Sequence, residues 1–425
     1  MRNSDQLFFS YENGILKAEG VQVPEIAEQV GTPFYLYSAS SIARSYAKLT
    51  FALRGLKYSI SYAVKANSNI AILKHLGSLG AGMDIVSSGE YLRAKSAGIT
   101  GDRIVFSGVG KTMDEMAIAI EGGIKQFNVE SESELTALNS VAKNLGKRIP
   151  IVIRVNPDID ALTHEKISTG RSDNKFGIPY SEAIEFFEKA SKFSNLEVSG
   201  LAVHIGSQLT DLEPFKRTFV KIAEMVAVLK NKDYNIKRID LGGGIGISYS
   251  DRTKVIDLQE YANTIKTTLG HLDCEFEFEP GRFLVGNSGL FICSVIYFKS
   301  LENRKFLVID GAMNDLMRPA MYGAYHEAIP VNNLKSSSMV KMDIVGPVCE
   351  TSDTFCRDRN FPLAAEGDLI AFCSAGAYGA VMASEYNSRP LIPEVLVKGL
   401  KFSIIRERPT IQSIIDRDII PDWLN

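Results

Sequence analysis

A lysine, a histidine, a glutamate and three consecutive glycines each close a short apolar run in this chain. Lys65 ends YSISYAVK, His204 lies in SGLAVHIGS, Gly242–Gly244 follow KRIDL, and Glu279 falls in EFEFEPG. A lysine held at a dry strand end loses stabilisation of its charged form, becomes nucleophilic and suits a Schiff base. Position alone equally allows a solvated lysine that caps the strand. Glycines after a strand let backbone N–H groups approach an anion, most often a phosphate, although a glycine run is also a common tight turn. DLGGGIGI is not a dinucleotide fingerprint, because Ile247 stands where the last glycine is needed. VFSGVGKT is not a phosphate-binding P-loop, because Val105 stands where the first glycine is needed. Glu279 can offer a carboxylate, with Arg282 just beyond it; the alternative is a turn on Pro280 and Gly281 with solvated flanks. A lone histidine such as His204 is more often structural than catalytic.

The surrounding rhythm gives these residues a common place. Four further runs end in polar clusters: GMDIVSS at Asp84, RIVFSG at Ser107, QFNVES at Glu130 and PIVIRVN at Arg154. Between the runs, NIAILKHLGSLG, GEYLRAKSAG, MDEMAIAIEGG, ESELTALNSVAKNLGK and PFKRTFVKIAEMVAVLKNK carry apolar residues at three- and four-residue spacing, the mark of amphipathic helices. Eight such units predict a (β/α)8 TIM-type barrel over 34–285, with its chemistry at the C-terminal strand ends. The glycine run falls on the seventh strand, and the loops after strands seven and eight are the usual phosphate seat of this fold. After Gly286 the pattern turns to strands: GLFICSVIYFKSL, KFLVIDGAM, MVKMDIVGPVC and DLIAFCSAGAYG. These predict a mainly-β domain over 286–425, which residues 1–33 are expected to join.

Bulk composition narrows the class. Apolar residues make up 45% and charged residues 23% of the chain, as in an ordinary globular protein. A net charge of -3 gives no reason to expect nucleic acid as a partner. Five cysteines without a CxxC pair argue against zinc and a disulfide framework, so no metal is expected and a cytoplasmic location is. No segment has the apolar run of a signal peptide or a membrane span.

Taken together, an amine nucleophile, a phosphate seat, a carboxylate and a flat imidazole around one barrel mouth suit pyridoxal 5'-phosphate. The lysine would take the aldehyde, the glycines the phosphate, the carboxylate the pyridine nitrogen and the imidazole a ring face. The motifs YAVKAN, GMDIVSSGE, HEKISTG, SDNKFG, HIGSQ, DLGGGIG, EPGR, GPVCETSD and YNSRP occur in this order. In that series the chain resembles the diaminopimelate decarboxylase family, barrel-type pyridoxal-phosphate enzymes related to alanine racemase and ornithine decarboxylase. The resemblance implies a barrel with a C-terminal β domain and a homodimer with shared active sites. It further implies conversion of meso-2,6-diaminopimelate to L-lysine and carbon dioxide, the last step of lysine biosynthesis. It gives Lys65 the Schiff base, His204 the ring face, Ser207 a phosphate contact and Glu279 the pyridine nitrogen. Gly243, Gly244, Gly281 and Arg282 match the phosphate loops, with Arg282 also facing substrate. Arg318 and Tyr322 match substrate-binding residues. Cys349 matches the proton donor, Glu350 the group holding the distal amine, and Tyr378 a residue touching cofactor and substrate. CETSD departs mildly from the family at Thr351, where many relatives read CESSD or CESGD.

The substrate has a physical logic. After one amine joins the cofactor and one carboxylate leaves, a carboxylate and an ammonium remain to be recognised. Arg282 and Arg318 offer planar forks for the first and Glu350 a partner for the second. A pocket that leaves such charges unpaired rejects the wrong substrate strongly. The expected course is displacement of Lys65 by the substrate amine, loss of the carboxylate and return of a proton from Cys349. The closest rival is a relative acting on ornithine, arginine or carboxynorspermidine. A non-catalytic pyridoxal-phosphate carrier would stop near residue 286, and a racemase would need a tyrosine base where Cys349 is expected.

Overall fold

The computed structural model describes residues 8–160, 170, 174–250, 254–332 and 338–424. His164–Thr169 of HEKISTG and Ser172 and Asp173 of SDNKFG lie outside the described residues. The chain divides into two units. One comprises Ala43–Ser248 and Thr253–Leu284; the other comprises Met1–Ile42, Tyr249–Arg252 and Val285–Asn425.

The first unit is a closed barrel. Its strands are Tyr58–Ala63, Gly82–Ile85, Ile104–Phe106, Gln126–Val129, Ile149–Asn156, Leu196–Ala202, Arg238–Asp240 and Glu275–Phe278. Each runs parallel to its neighbours. Closure comes from the last strand meeting the first, with Phe276 opposite Tyr58. All eight apolar runs of the sequence supply one strand each, so the barrel expectation holds. The runs are continuous rather than alternating because both faces are covered, as parallel strands require. Met83, Ile85, Val105, Phe127, Ile151 and Ile153 show no exposed surface.

Helix starts lie close behind the strand ends and are fixed by local caps. Asn69, Ser87 and Ser131 each accept a hydrogen bond from a backbone N–H of the helix that follows. Thr112 and Glu115 form a reciprocal capping box at Met113–Glu121. Such caps occupy N–H groups that have no partner inside the helix, each worth about 1 kcal/mol, and they set where each strand-to-helix loop stops.

The second unit is built on a mixed sheet. Its order is Thr354–Pro362, Met339–Val345, Lys305–Ile309, Gly289–Ser300, Phe34–Ser38, Glu394–Lys398 and Lys401–Arg406. Phe34, Leu36, Leu290, Ile292, Val331, Ala371, Val395 and Val397 fill its core. The barrel boundary expected at residue 34 is therefore corrected. Phe34–Ser38 pairs antiparallel with Gly289–Ile292 and parallel with Glu394–Val397, and belongs to this sheet. FYLYS is buried at every position. A strand covered on both faces reads the same in sequence whichever sheet it enters, so periodicity could not place it.

Candidate active site

The barrel unit gathers its reactive groups at the C-terminal ends of its strands. Lys65 lies on the single turn Val64–Ala66 directly after the first strand. Ala63 is in register with Asp84 on the second strand, and this pairing brings the two side chains together. Lys65 Nζ stands 3.0 Å from Asp84 Oδ2. The Lys65 side chain is 40% exposed, whereas that of Asp84 is wholly buried. A buried carboxylate requires a cation beside it, and cross-strand register is invisible to residue spacing. The other carboxylate oxygen, Oδ1, is buried without a hydrogen-bond partner among the described residues.

Behind Lys65 lies a cluster of carboxyl and amide groups. Asn128 Nδ2 donates to Asp240 Oδ2 at 3.0 Å and to Glu279 Oε1 at 3.3 Å. Ser107 Oγ also donates to Glu279 Oε1 at 3.3 Å. Burial, followed by the charges of Asp240 and Asp84, holds the Glu279 carboxyl well above the usual carboxylate range. Burial and then the charge of Glu277 push Asp240 up to about 7. Like charges this close resist joint ionisation, so the Asp240–Glu279 pair retains a proton near neutral pH.

His204 and the glycine loop form one unit of structure. The Gly243 N–H donates to His204 Nδ1 at 3.3 Å, which leaves the ring proton on Nε2. Burial, then the charges of Arg154 and Lys65, lower the imidazole pKa well below its ordinary value. The ring is neutral at pH 7. Glycine is required in this loop by close backbone approach: a Cβ on Gly243 would lie 2.3 Å from the Glu279 carbonyl oxygen. Gly244 adopts φ +98°, and a Cβ there would lie 2.5 Å from the Gly206 carbonyl oxygen. Arg282, which is buried, donates from Nη2 to Ser207 Oγ at 3.1 Å and so links the loops after strands six and eight.

Other strand ends act as ties. Glu130 accepts from Arg154 Nη1 at 3.0 Å and from the N–H groups of Gly108 and Gly177 at 3.1 Å each. Lys111 of VFSGVGKT is wholly buried against Glu134. It also donates to the carbonyls of Gly108 and Asn128 at 2.7 Å each. It is a strut within the barrel.

The remaining candidates lie in the second unit. Arg318 and Tyr322 bound the short helix Arg318–Tyr322. Arg318 is buried and Tyr322 half-buried. Cys349 and Glu350 are exposed on the loop after Met339–Val345. Glu350 accepts from Tyr386 OH and, at 3.0 Å, from Ser352 Oγ, and these bonds lower its pKa. The loop is shaped by buried Asp353, which accepts from the N–H groups of Met313 and Val348 at 2.7 Å each. Tyr378 is half-buried and holds φ +55°, a left-handed conformation uncommon outside glycine. All five cysteines are free thiols. Sequence reasoning gave no role to Asp240, Asn128, Asp353 or His326. Asp240 and Asn128 did carry a signal, as polar residues inside apolar strands.

Comparison with known proteins agrees with this chemistry. Residues 39–286 match the family model described as "Pyridoxal-dependent decarboxylase, pyridoxal binding domain". An amine beside an orphaned carboxylate oxygen, a neutral imidazole, a proton-holding carboxyl and a glycine loop fit such a cofactor. The chain is 45% identical over 98% of its length to diaminopimelate decarboxylase of Zymomonas mobilis, covering 99% of that protein. The solved diaminopimelate decarboxylase of Helicobacter pylori, complexed with L-lysine, is 42% identical with a TM-score of 0.89, covering 93% of this chain and 98% of that one. That of M. jannaschii, also with L-lysine, is 36% identical with a TM-score of 0.94, covering 99% and 100%. The chain belongs to the diaminopimelate decarboxylase family, within the pyridoxal-dependent carboxy-lyases.

Proposed function

We propose that this chain decarboxylates meso-2,6-diaminopimelate to L-lysine and carbon dioxide, with pyridoxal 5'-phosphate held in the barrel. The observation that carries the reading is the joint presence, at the C-terminal strand ends of one barrel, of Lys65 with Asp84, neutral His204 and proton-retaining Glu279. When bound, the cofactor supplies an electron sink for the bond to the departing carboxylate.

The chain's own residues bind, orient and move protons around it. Lys65 would be the residue that holds the cofactor at its aldehyde and would give way to the substrate amine. Asp84 would hold the Lys65 amine in place, with Oδ2 3.0 Å from Nζ. His204, lacking a charge of its own, would cover a face of the ring. Glu279, whose carboxyl is held well above the usual range, would be the partner of the pyridine nitrogen. Gly243, Gly244, Gly281, Arg282 and Ser207 surround the phosphate with N–H, guanidinium and hydroxyl donors.

Substrate selection falls to the second unit together with Arg282. Arg318 and Arg282 are assigned to the carboxylate that stays, Glu350 to the ammonium beside it, and Tyr322 and Tyr378 to further substrate contacts. Cys349 delivers a proton to the carbon that has lost its carboxylate. An exposed thiol and an exposed carboxylate on one loop suit presentation to a second chain, and the working form is a homodimer with shared sites. Free cysteines suit a reducing cytoplasm.

The test is product identification after adding meso-2,6-diaminopimelate and pyridoxal 5'-phosphate. L-lysine and carbon dioxide in equal amounts are expected. Comparable turnover of ornithine, arginine or carboxynorspermidine would contradict the substrate.

A further inference from the structure

Arg318 is oriented by two uncharged neighbours in its own unit. Its Nη1 lies 2.7 Å from His326 Nε2. Its guanidinium carbon lies 4.5 Å from the centre of the Tyr249 ring. Tyr249 in turn meets the imidazole edge-on, with ring centres 5.4 Å apart. On the other side of the imidazole, Nδ1 lies 2.8 Å from the Cys373 carbonyl oxygen. That carbonyl is held in place because Phe372 is paired with Ala328 at the end of a short antiparallel ladder, just after His326. His326 is 1% exposed and Arg318 is 7% exposed.

The partners fix the protons. A guanidinium only donates and a carbonyl only accepts, so His326 is neutral, with its hydrogen on Nδ1 and its lone pair on Nε2 toward Arg318. Protonation of His326 would put a second cation against the first. A carboxylate at the same place would orient Arg318 equally well but would cancel its charge. An imidazole lone pair and an aromatic face orient the fork without themselves cancelling its charge.

We propose that His326, backed by Tyr249, is the positioning residue that aims Arg318 at the carboxylate retained by the substrate, and so sets the preference for amino acids bearing that group. The proposal rests on the substrate-binding role given to Arg318 above.

The test uses holoenzyme and two competitive inhibitors. L-lysine carries the retained carboxylate, and 1,5-diaminopentane is the same skeleton without it. His326→Leu is expected to raise the inhibition constant of lysine roughly ten- to a hundredfold, the scale for a hydrogen bond to a charged group, and to leave that of 1,5-diaminopentane unchanged. KM for meso-2,6-diaminopimelate rises in parallel, while kcat falls far less. His326→Gln, whose Oε1 can replace Nε2 as acceptor, keeps most of the lysine affinity. His326→Asn keeps the donor toward Cys373 but not the acceptor, and behaves like His326→Leu. Adding His326→Leu to Arg318→Leu has no further effect, because both changes remove one interaction. If Arg318→Leu weakens lysine and the His326 variants do not, this proposal is overturned and the role of Arg318 stands. If the effects add, or if both inhibitors weaken equally, His326 acts through the fold and the proposal is likewise overturned. If Arg318→Leu leaves lysine binding intact, the role of Arg318 and this proposal fall together.

Discussion

The barrel unit and the strand-rich unit hold their candidate site residues in opposite ways. In the barrel, Lys65, Asp84, Asn128, Asp240 and Glu279 lie on strands or directly after them and are joined by hydrogen bonds from strand to strand. In the other unit, Cys349 and Glu350 stand exposed on a loop, and Arg318 and Tyr322 sit on a helix of five residues. The first arrangement suits a group that stays bound through every turnover and needs fixed donors. The second suits a substrate that must enter, be checked and leave. On the proposed assignment, chemistry common to a class of enzymes is held by the scaffold, and choice of substrate by the parts most easily altered.

Removing the covalent anchor should separate the two units most sharply. Lys65→Ala is expected to abolish the yellow band that borohydride bleaches and to lower turnover by roughly a thousandfold or more, the scale of a lost nucleophile. A borohydride-reducible band persisting in that variant would mean that another lysine is used.

Arg318→Leu should leave the cofactor spectrum unchanged while lowering kcat/KM for meso-2,6-diaminopimelate. A carboxylate that loses its buried arginine costs about 2–5 kcal/mol. An altered cofactor spectrum, or an unchanged kcat/KM, would erase the division of labour between the units.

The smallest effect concerns the buried carboxyl pair. Asp240 has its pKa raised from 3.8 to about 7 in the folded protein. A raised carboxyl pKa means that the folded state binds the proton more tightly than the unfolded state. Its stabilising contribution is full below pH 3.8 and is lost as pH rises toward 7. Asp240→Asn should therefore flatten the decline in Tm of cofactor-free protein between those values, leaving the variant favoured relative to the parent at neutral pH. Parallel Tm profiles for the two proteins would rule out a protonated pair.

Much of the barrel was legible in the sequence, because parallel strands covered on both faces leave continuous apolar runs and their polar ends mark the mouth. Lys65, His204, the glycine loop and Glu279 were all placed at strand ends this way. The same rule misassigned Phe34–Ser38, whose burial says nothing about which sheet it joins. The pairing of Lys65 with Asp84 depends on register between two strands separated by a helix. His326 was passed over because nothing in MYGAYH shows which side chain its imidazole faces; the contact with Arg318 exists only once the chain is folded. The roles of Cys349 and Glu350 came from resemblance alone, and a loop charge has no periodicity to reveal it.

The most direct test of the account is complementation between the two units. Lys65→Ala and Cys349→Ala chains are each expected to be nearly inactive alone. Refolded together, they form mixed dimers in which one site carries both defects and the other has Lys65 from one chain and Cys349 from its partner. With random pairing, activity should return to about a quarter of the wild-type level. Mixed dimers that form, as judged by differently tagged chains, yet remain inactive would show that each site is built within a single chain.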